Sequence, residues 1–171
     1  MITLHKIYSE DALELDAILF EPEQKTNTVI IHVHGKEGHF IQNHFVRVMG
    51  EEYPKAGFAF LTFNNRGHDY MADMLKKSPG GFEWVKKGTA FDKLDEFPQD
   101  INGVIAYLKD LGYKKFILQG HSIGPHKICY YLAHAPKHEI EQIILLSPSD
   151  IHYLLESQIP HWQDHAEVAQ H

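Results

Sequence analysis

The 171-residue chain has one cysteine, Cys129, so no disulfide can form within it. It has no apolar run near the roughly eighteen residues of a membrane-spanning helix. It lacks any block of basic residues: Lys plus Arg is 16 against 23 for Asp plus Glu, a net charge of −7 with neutral histidine. Such a chain is a poor partner for nucleic acid or an anionic membrane. There is no internal repeat and no low-complexity tract, and 43% hydrophobic with 23% charged residues is ordinary for a globular protein. Collagen, coiled coil and disorder are excluded on that composition. The opening Met1 to Lys6 lacks the charged-then-apolar pattern of a secretory signal. The expectation is one soluble, cytoplasmic domain over residues 1–171. What the chain has in excess is histidine, 14 in all, which raises the question of metal binding.

The elements come in a readable order. Residues 1–8 and 13–20 read as two strands around the polar turn Ser9-Glu10-Asp11, and Pro22 ends the second. Residues 28–33 and 58–63 are short apolar runs, the mark of strands buried on both faces. Between them Ile41, Phe45, Val48 and Met49 fall at helical spacing. Phe97-Pro98 opens a second helix whose apolar face is Ile101, Val104, Ile105, Leu108 and Leu111, stopped by Gly112. A strand at 115–119, a helix at 122–133 and a strand at 142–146 follow. Residues 70–96 read as a lid-like excursion. Phe82, Trp84 and Phe91 there either wall a substrate pocket or pack the loop onto the domain.

Strand and helix alternate from residue 28 onward, which predicts βαβ units: an α/β three-layer sandwich, mostly parallel, with helices on both faces. Active sites in such sheets lie beyond the carboxyl ends of the strands. Four segments occupy those ends: His34-Gly35, Asn64 to Asp69, Gly120 to Gly124, and Ser147 to Asp150.

Gly120-His121-Ser122-Ile123-Gly124 is a Gly-x-Ser-x-Gly directly between a predicted strand and a predicted helix, as a nucleophile elbow requires. Glycine permits the close backbone approach of so tight a turn, and the turn lifts the Ser122 hydroxyl clear of the sheet. The Ile123 N–H, at a helix start, can face a developing oxyanion. The bland alternative is a serine capping a helix. His34-Gly35 ends the strand at 28–33 and fits the second half of an oxyanion hole, with the Lys36 N–H as donor; the alternative is a plain glycine turn. In Asn64-Asn65-Arg66-Gly67-His68-Asp69 the expected role is structural, with Arg66 tying neighbouring loops through its five donors.

On these residues the chain resembles the α/β-hydrolase superfamily, in particular a serine esterase branch that includes fungal siderophore-esterase-like proteins. The matching stretches are Ile31-His32-Val33-His34-Gly35, Asn64-Asn65-Arg66-Gly67, Gly88-Thr89-Ala90-Phe91, Gln119 to Gly124, and Leu146-Ser147-Pro148-Ser149-Asp150. The resemblance implies hydrolysis of a small-molecule carboxylic ester through an acyl-enzyme on Ser122, with amides and thioesters open and no cofactor required. It also implies a departure. The superfamily orders its triad Ser, acid, His, and its sheet has eight strands, with the acid after the seventh and the histidine after the eighth. Six strands are legible here, so the chain resembles the first two thirds of such a domain. Asp150, after the sixth strand, is the one candidate acid, and His152, His161, His165 or His171 would keep the chain order. Alternatively Asp150 caps a short helix.

Two other readings stand beside the esterase. One is a non-catalytic hydrolase-like fragment or binding module that lacks its acid and histidine. The other is a metal-dependent hydrolase using His32 and His34, although no carboxylate or Cys accompanies them in a known ligand pattern. The apolar strand at 142–146 would form a sheet edge, which predicts a homodimer through that strand.

Overall fold

The computed structural model describes residues 1–135, 138–151 and 153. Strands β1 (Ile2–Tyr8) and β2 (Glu14–Phe20) form an antiparallel hairpin in register from Ile2–Phe20 to Tyr8–Glu14. Its turn is closed by the Ser9 hydroxyl, which accepts the Leu13 N–H at 2.9 Å. Then follow β3 (Thr28–Val33), α1 (His44–Lys55), β4 (Ala59–Phe63), β5 (Ala72–Ser78), β6 (Gly81–Lys87), α2 (Phe97–Asp110), β7 (Lys115–His121), α3 (Gly124–His134) and β8 (Ile140–Leu146). Among the described residues the main sheet has six strands in the order β1-β2-β4-β3-β7-β8. The pairings β4–β3, β3–β7 and β7–β8 are parallel, and β1–β2 and β2–β4 are antiparallel. The expected mostly parallel α/β architecture is therefore present.

Alternation along the central strands decides which face each side chain meets. Val29, Ile31 and Val33 of β3, Leu61 and Phe63 of β4, and Phe116 and Leu118 of β7 pack with Phe97, Ile101 and Val104 of α2 and Ile128 of α3. The intervening Ile30, Phe60 and Ile117 pack under Val46 of α1. Helices thus cover both faces, and each central strand is buried on both sides, as its uninterrupted apolar run implied.

Two elements differ from the sequence reading. The first helix starts at His44, not at Ile41, and its buried residues are Val46 and Gly50, with Phe45, Met49 and Tyr53 beside them. Ile41 and Val48 are exposed. Gly50 lies on the Phe20 ring, where a Cβ would meet ring carbons at 2.7 Å. A glycine at the contact let the helix approach closely and hid the true apolar face from a count of large side chains. Second, residues 70–96 are not an irregular loop. They hold the antiparallel hairpin β5–β6, in register from Ala72–Lys87 to Ser78–Gly81, and two short 3₁₀ turns at Thr89–Phe91 and Leu94–Glu96. Met74 of β5 is buried, whereas Phe82 and Trp84 of β6 face outward.

A buried guanidinium joins the hairpin, the β1–β2 turn and α2 to the loop after β4. Arg66 is 1% exposed and Asp100 is fully buried. Arg66 Nε and one terminal nitrogen donate to Asp100 Oδ1 at 2.9 and 2.8 Å, and its backbone N–H donates to Oδ2 at 2.9 Å. The other arm donates to Glu96 at 2.9 Å, and Asp11 accepts at 2.8 Å. Lys87 and Lys76 of the hairpin reach Glu96 and Asp11 in turn. Burial works against the guanidinium charge, but Asp100 outweighs it and raises the Arg66 pKa. Burial alone would raise the Asp11 pKa, but the Ser9 hydroxyl and the Arg66 charge bring it down to about 2.

Breaking this pair from one side leaves a buried charge uncompensated, so Asp100→Ala should lower the unfolding free energy by about 3–5 kcal/mol. Urea denaturation measures it; a loss below about 1 kcal/mol, the range of exposed ion pairs, would contradict the arrangement.

Candidate active site

The carboxyl ends of β3, β4, β7 and β8 bring their four following loops to one edge of the sheet. The chain leaves β3 toward β4 on one side and later returns to β7 on the other, so the loops after β3 and β7 flank a topological switch point. Val33 and Gly120 pair across that junction.

The turn after β7 is close-packed. A Cβ on Gly120 would stand 2.5 Å from the Gly124 carbonyl carbon and 2.6 Å from Pro125 N. A Cβ on Gly124 would overlap the Val33 carbonyl oxygen. Between them Ser122 holds a left-handed backbone, φ +60°. That conformation costs a non-glycine residue of order 1–2 kcal/mol. It is held from outside: Ser122 N–H donates to Leu146 O at 3.2 Å, and Ser149 N–H donates to Ser122 O at 3.1 Å. His121 precedes the serine with its ring against Phe45, centroids 4.8 Å apart. Ile123 is the N-cap of α3.

Gly35 lies directly against the serine, and a Cβ there would be 2.8 Å from Ser122 Cβ and 3.3 Å from its hydroxyl. Lys36 follows with an exposed side chain. Within the described residues, neither the Lys36 N–H nor the Ile123 N–H donates a hydrogen bond. Two unspent backbone donors therefore flank the Ser122 turn.

The Ser122 hydroxyl has one described partner, the Ser149 hydroxyl at 3.0 Å. Sequence alone gives Ser149 no role of its own, because a serine in a loop after a strand carries no pattern. Asp150 is exposed, and its Oδ1 accepts the Tyr153 N–H at 2.9 Å. His152, His161, His165 and His171 lie outside the described residues.

The histidines of the β3 end are engaged separately. His34 is buried; its Nε2 accepts the Asn65 N–H at 3.2 Å and its Nδ1 donates to Gly35 O at 2.9 Å. Both ring nitrogens are spent on backbone, so this imidazole is not free to ligate a metal. His32 points to the α1 face, where Gln119 Nε2 donates to its Nδ1 at 3.1 Å and Tyr53 holds the other end of that amide. Among the described residues no three His, Cys, Asp or Glu side chains are grouped to hold a metal ion. Burial, then the neighbouring His121, lowers the His32 pKa to about 4. Burial holds His34 well below the usual histidine value, with the Lys127 charge adding to it.

His68 and Asp69 do not approach Ser122 through any described hydrogen bond; His68 Nδ1 lies 3.1 Å from Asn65 O. Thr89, from the matched Gly88-Thr89-Ala90-Phe91 stretch, links the loops by donating to Gly67 O and accepting the Glu37 N–H, both at 2.9 Å. A cleft of about 260 Å³ on this side of the molecule is lined by Asn64, His68, Leu75 and Trp84. The larger cavity at Glu21, Pro54 and Gly57 sits at the opposite ends of the strands. No described helix is long and apolar enough to cross a membrane.

Among the described residues, a six-stranded sheet with a left-handed serine between β7 and α3 defines a class. The chain belongs to the α/β-hydrolase fold family, whose model matches residues 28–168. Among solved structures it is similar to the Pyrococcus furiosus esterase Pf2001, at 20% identity and a TM-score of 0.65, over 86% of this chain and 51% of that one. It is similar to Est1E of Butyrivibrio proteoclasticus, solved with ferulic acid bound: 23% identity, TM-score 0.63, 84% and 53% covered. It is also similar to the α/β hydrolase GrgF of a Penicillium species: 14%, TM-score 0.66, 86% and 46%. The chain spans about half the length of these proteins, and at such identities the likeness is one of fold. No curated protein sequence matches it.

Both buried imidazoles must stay neutral in the folded state. Their stabilising contribution is complete above pH 6.5 and is lost as pH falls below it, toward about 4 for His32, because the unfolded chain takes up protons there and the folded chain does not. Stability should fall by up to about 1.4 kcal/mol per pH unit for each histidine over that window. Urea midpoints at pH 7, 6 and 5 measure this; an identical slope in His32→Asn would remove His32 from the account.

Proposed function

We propose that the chain is a serine hydrolase acting on small-molecule carboxylic esters, with Ser122 as nucleophile and the N–H groups of Ile123 and Lys36 as the oxyanion hole. The observation that carries this reading is the left-handed Ser122 between two unspent backbone donors, with Gly35 against it. Non-glycine residues in this backbone region cluster at functional sites. The Ser122 oxygen attacks the ester carbonyl, its proton leaves to a base, and the alkoxide departs with a proton. Water then resolves the acyl-enzyme. Both tetrahedral oxyanions meet the same two N–H groups. The chemistry asks for no cofactor.

The base of this mechanism comes from outside the described residues, and the candidate acid Asp150 is exposed and makes no described contact with Ser122. Asp150 with His152, His161, His165 or His171 keeps the family's Ser–acid–His order. A second reading is favoured by one contact: among the described residues the Ser122 hydroxyl meets Ser149 and no imidazole. On it the chain is a hydrolase-like binding module, because an unassisted serine is a weak nucleophile.

Whole-protein mass before and after a fluorophosphonate separates the two. The esterase reading expects one adduct, absent in Ser122→Ala and in Gly35→Ala, whose methyl would press on Ser122. Folded wild-type protein with no adduct would leave the binding-module reading.

We also infer self-association through β8. It is one of the two sheet edges among the described residues, and Ile143 and Leu145 are 43% and 42% exposed. An exposed apolar edge invites strand pairing. Sedimentation should show a dimer that Ile143→Lys with Leu145→Lys dissociates; a monomeric wild type would refute it.

A further inference from the structure

Beneath the oxyanion loop lies a polar centre that the serine chemistry does not use directly. Lys127 of α3 is 2% exposed. Its Nζ donates to Asp92 Oδ2 at 2.6 Å and to Asn65 Oδ1 at 3.0 Å. The Asn65 backbone N–H donates to His34 Nε2, and His34 Nδ1 donates to the Gly35 carbonyl. Each ring nitrogen therefore has one permitted state: Nε2 faces a donor and must accept, and Nδ1 faces a carbonyl and must carry the proton. The Gly35 carbonyl also accepts the Gly38 N–H at 3.1 Å. That carbonyl and the Lys36 N–H belong to one planar trans peptide, so they point in opposite directions. Whatever grips the carbonyl aims the N–H.

We propose that Lys127 is a positioning residue: through Asn65 it keeps His34 in the Nδ1–H tautomer, and so sets the direction of the Lys36 N–H. This rests on the reading of Lys36 as an oxyanion donor.

The composition of the centre supports a geometric role. A buried ion pair contributes little net stability against an apolar replacement of the same volume. This one also holds two buried polar atoms, Asn65 Nδ2 and Asp92 Oδ1, that have no partner among the described residues. Such groups call for an explanation other than stability. Lys127 further stands on the apolar face of α3, among buried Gly124, Ile128 and Tyr131, where an aliphatic residue would pack at lower cost. Without Lys127, the Asn65 side chain keeps only its bond to the Gly67 N–H, and nothing buried ties the loop after β4 to α3 through that amide.

The test is nitrogen-15 NMR of the histidine rings and backbone amides in wild type, Lys127→Met and Asn65→Ala. Asn65→Ala removes the side-chain link while leaving Lys127 on Asp92, and serves if Lys127→Met does not fold. Wild type should show a single neutral Nδ1–H tautomer for His34. Each variant should mix tautomers at His34 and exchange the Gly38 amide, which donates to the Gly35 carbonyl, about tenfold faster, a local opening. His32, on the opposite face of the sheet, should keep its signals. Fluorophosphonate labelling of Ser122 should slow by about tenfold, as when an oxyanion donor is misaimed. A folded variant with wild-type His34 ring signals and Gly38 exchange overturns the proposal. Absence of an adduct in wild type instead removes the catalytic reading, and the ring signals still decide the positioning.

Discussion

The buried Arg66 guanidinium is the constraint on which the carboxyl-end edge of this molecule depends. The loop after β4 must sit beside the loop after β3, yet no helix or strand pairing holds it there. Arg66 does so through Asp100 of α2, Glu96 ahead of it, and Asp11 of the β1–β2 turn. Lys76 and Lys87 extend the same network into the β5–β6 hairpin. The β1–β2 turn and the stretch from Glu96 into α2 thus meet one planar cation, and the hairpin joins them through its lysines. Its fork of donors suits this task, whereas an ammonium would serve fewer partners with less directional control. Such a centre specifies geometry more than it adds stability. The neighbouring ion pair Lys127–Asp92 repeats the arrangement one loop closer to Ser122.

Much of the fold was legible because parallel strands announce themselves. Thr28–Val33, Ala59–Phe63 and Lys115–His121 are buried on both faces, and their apolar runs follow from that. The elbow was legible for a related reason: its glycines stand where backbone meets backbone. The β5–β6 hairpin was not. Its inner face carries Met74 and Val85, but Lys76 and Lys87 share that face to reach Asp11 and Glu96, which breaks the period-two signal. The first helix shifted because Gly50 and not a large residue marks its contact. Ser149 and Lys127 are not legible in sequence, because their meaning lies in what they touch. Lys127 did leave one trace, a charge at the spacing of a buried helical stripe.

The histidine excess resolves partly into structure. His32 and His34 behave as buried neutral hydrogen-bonding groups, and His5 bridges Thr3 and Tyr107 at the sheet's outer hairpin. Imidazole suits these places because it offers one donor and one acceptor in a flat ring that packs against aromatics, as His32 does on Phe45 and Phe60. A carboxylate or ammonium in the same positions would bring a charge that the interior cannot solvate. The His-x-His spacing at the end of β3 is thus explained by two unrelated neighbours, Gln119 on one side and the Asn65 and Gly35 backbone on the other.

What the described residues build around Ser122 is made of backbone. The turn is fixed by Gly120 and Gly124, the hydroxyl is presented by a left-handed serine, and the flanking donors are peptide N–H groups. Backbone dipoles held in a packed fold need no reorganisation when charge develops, which is why such donors stabilise oxyanions well. This electrostatic part persists in serine hydrolases that lose a triad member, where it sustains about 10³–10⁴-fold acceleration over water. Proton transfer is separable from it, since it needs a side chain brought within hydrogen-bond reach of the serine oxygen. In this chain that place holds the Ser149 hydroxyl, a group that can orient the Ser122 proton but is too weak a base to remove it. An imidazole arriving there must displace or bridge the Ser122–Ser149 contact, so on the catalytic reading the strength of that contact sets how readily the elbow becomes a nucleophile.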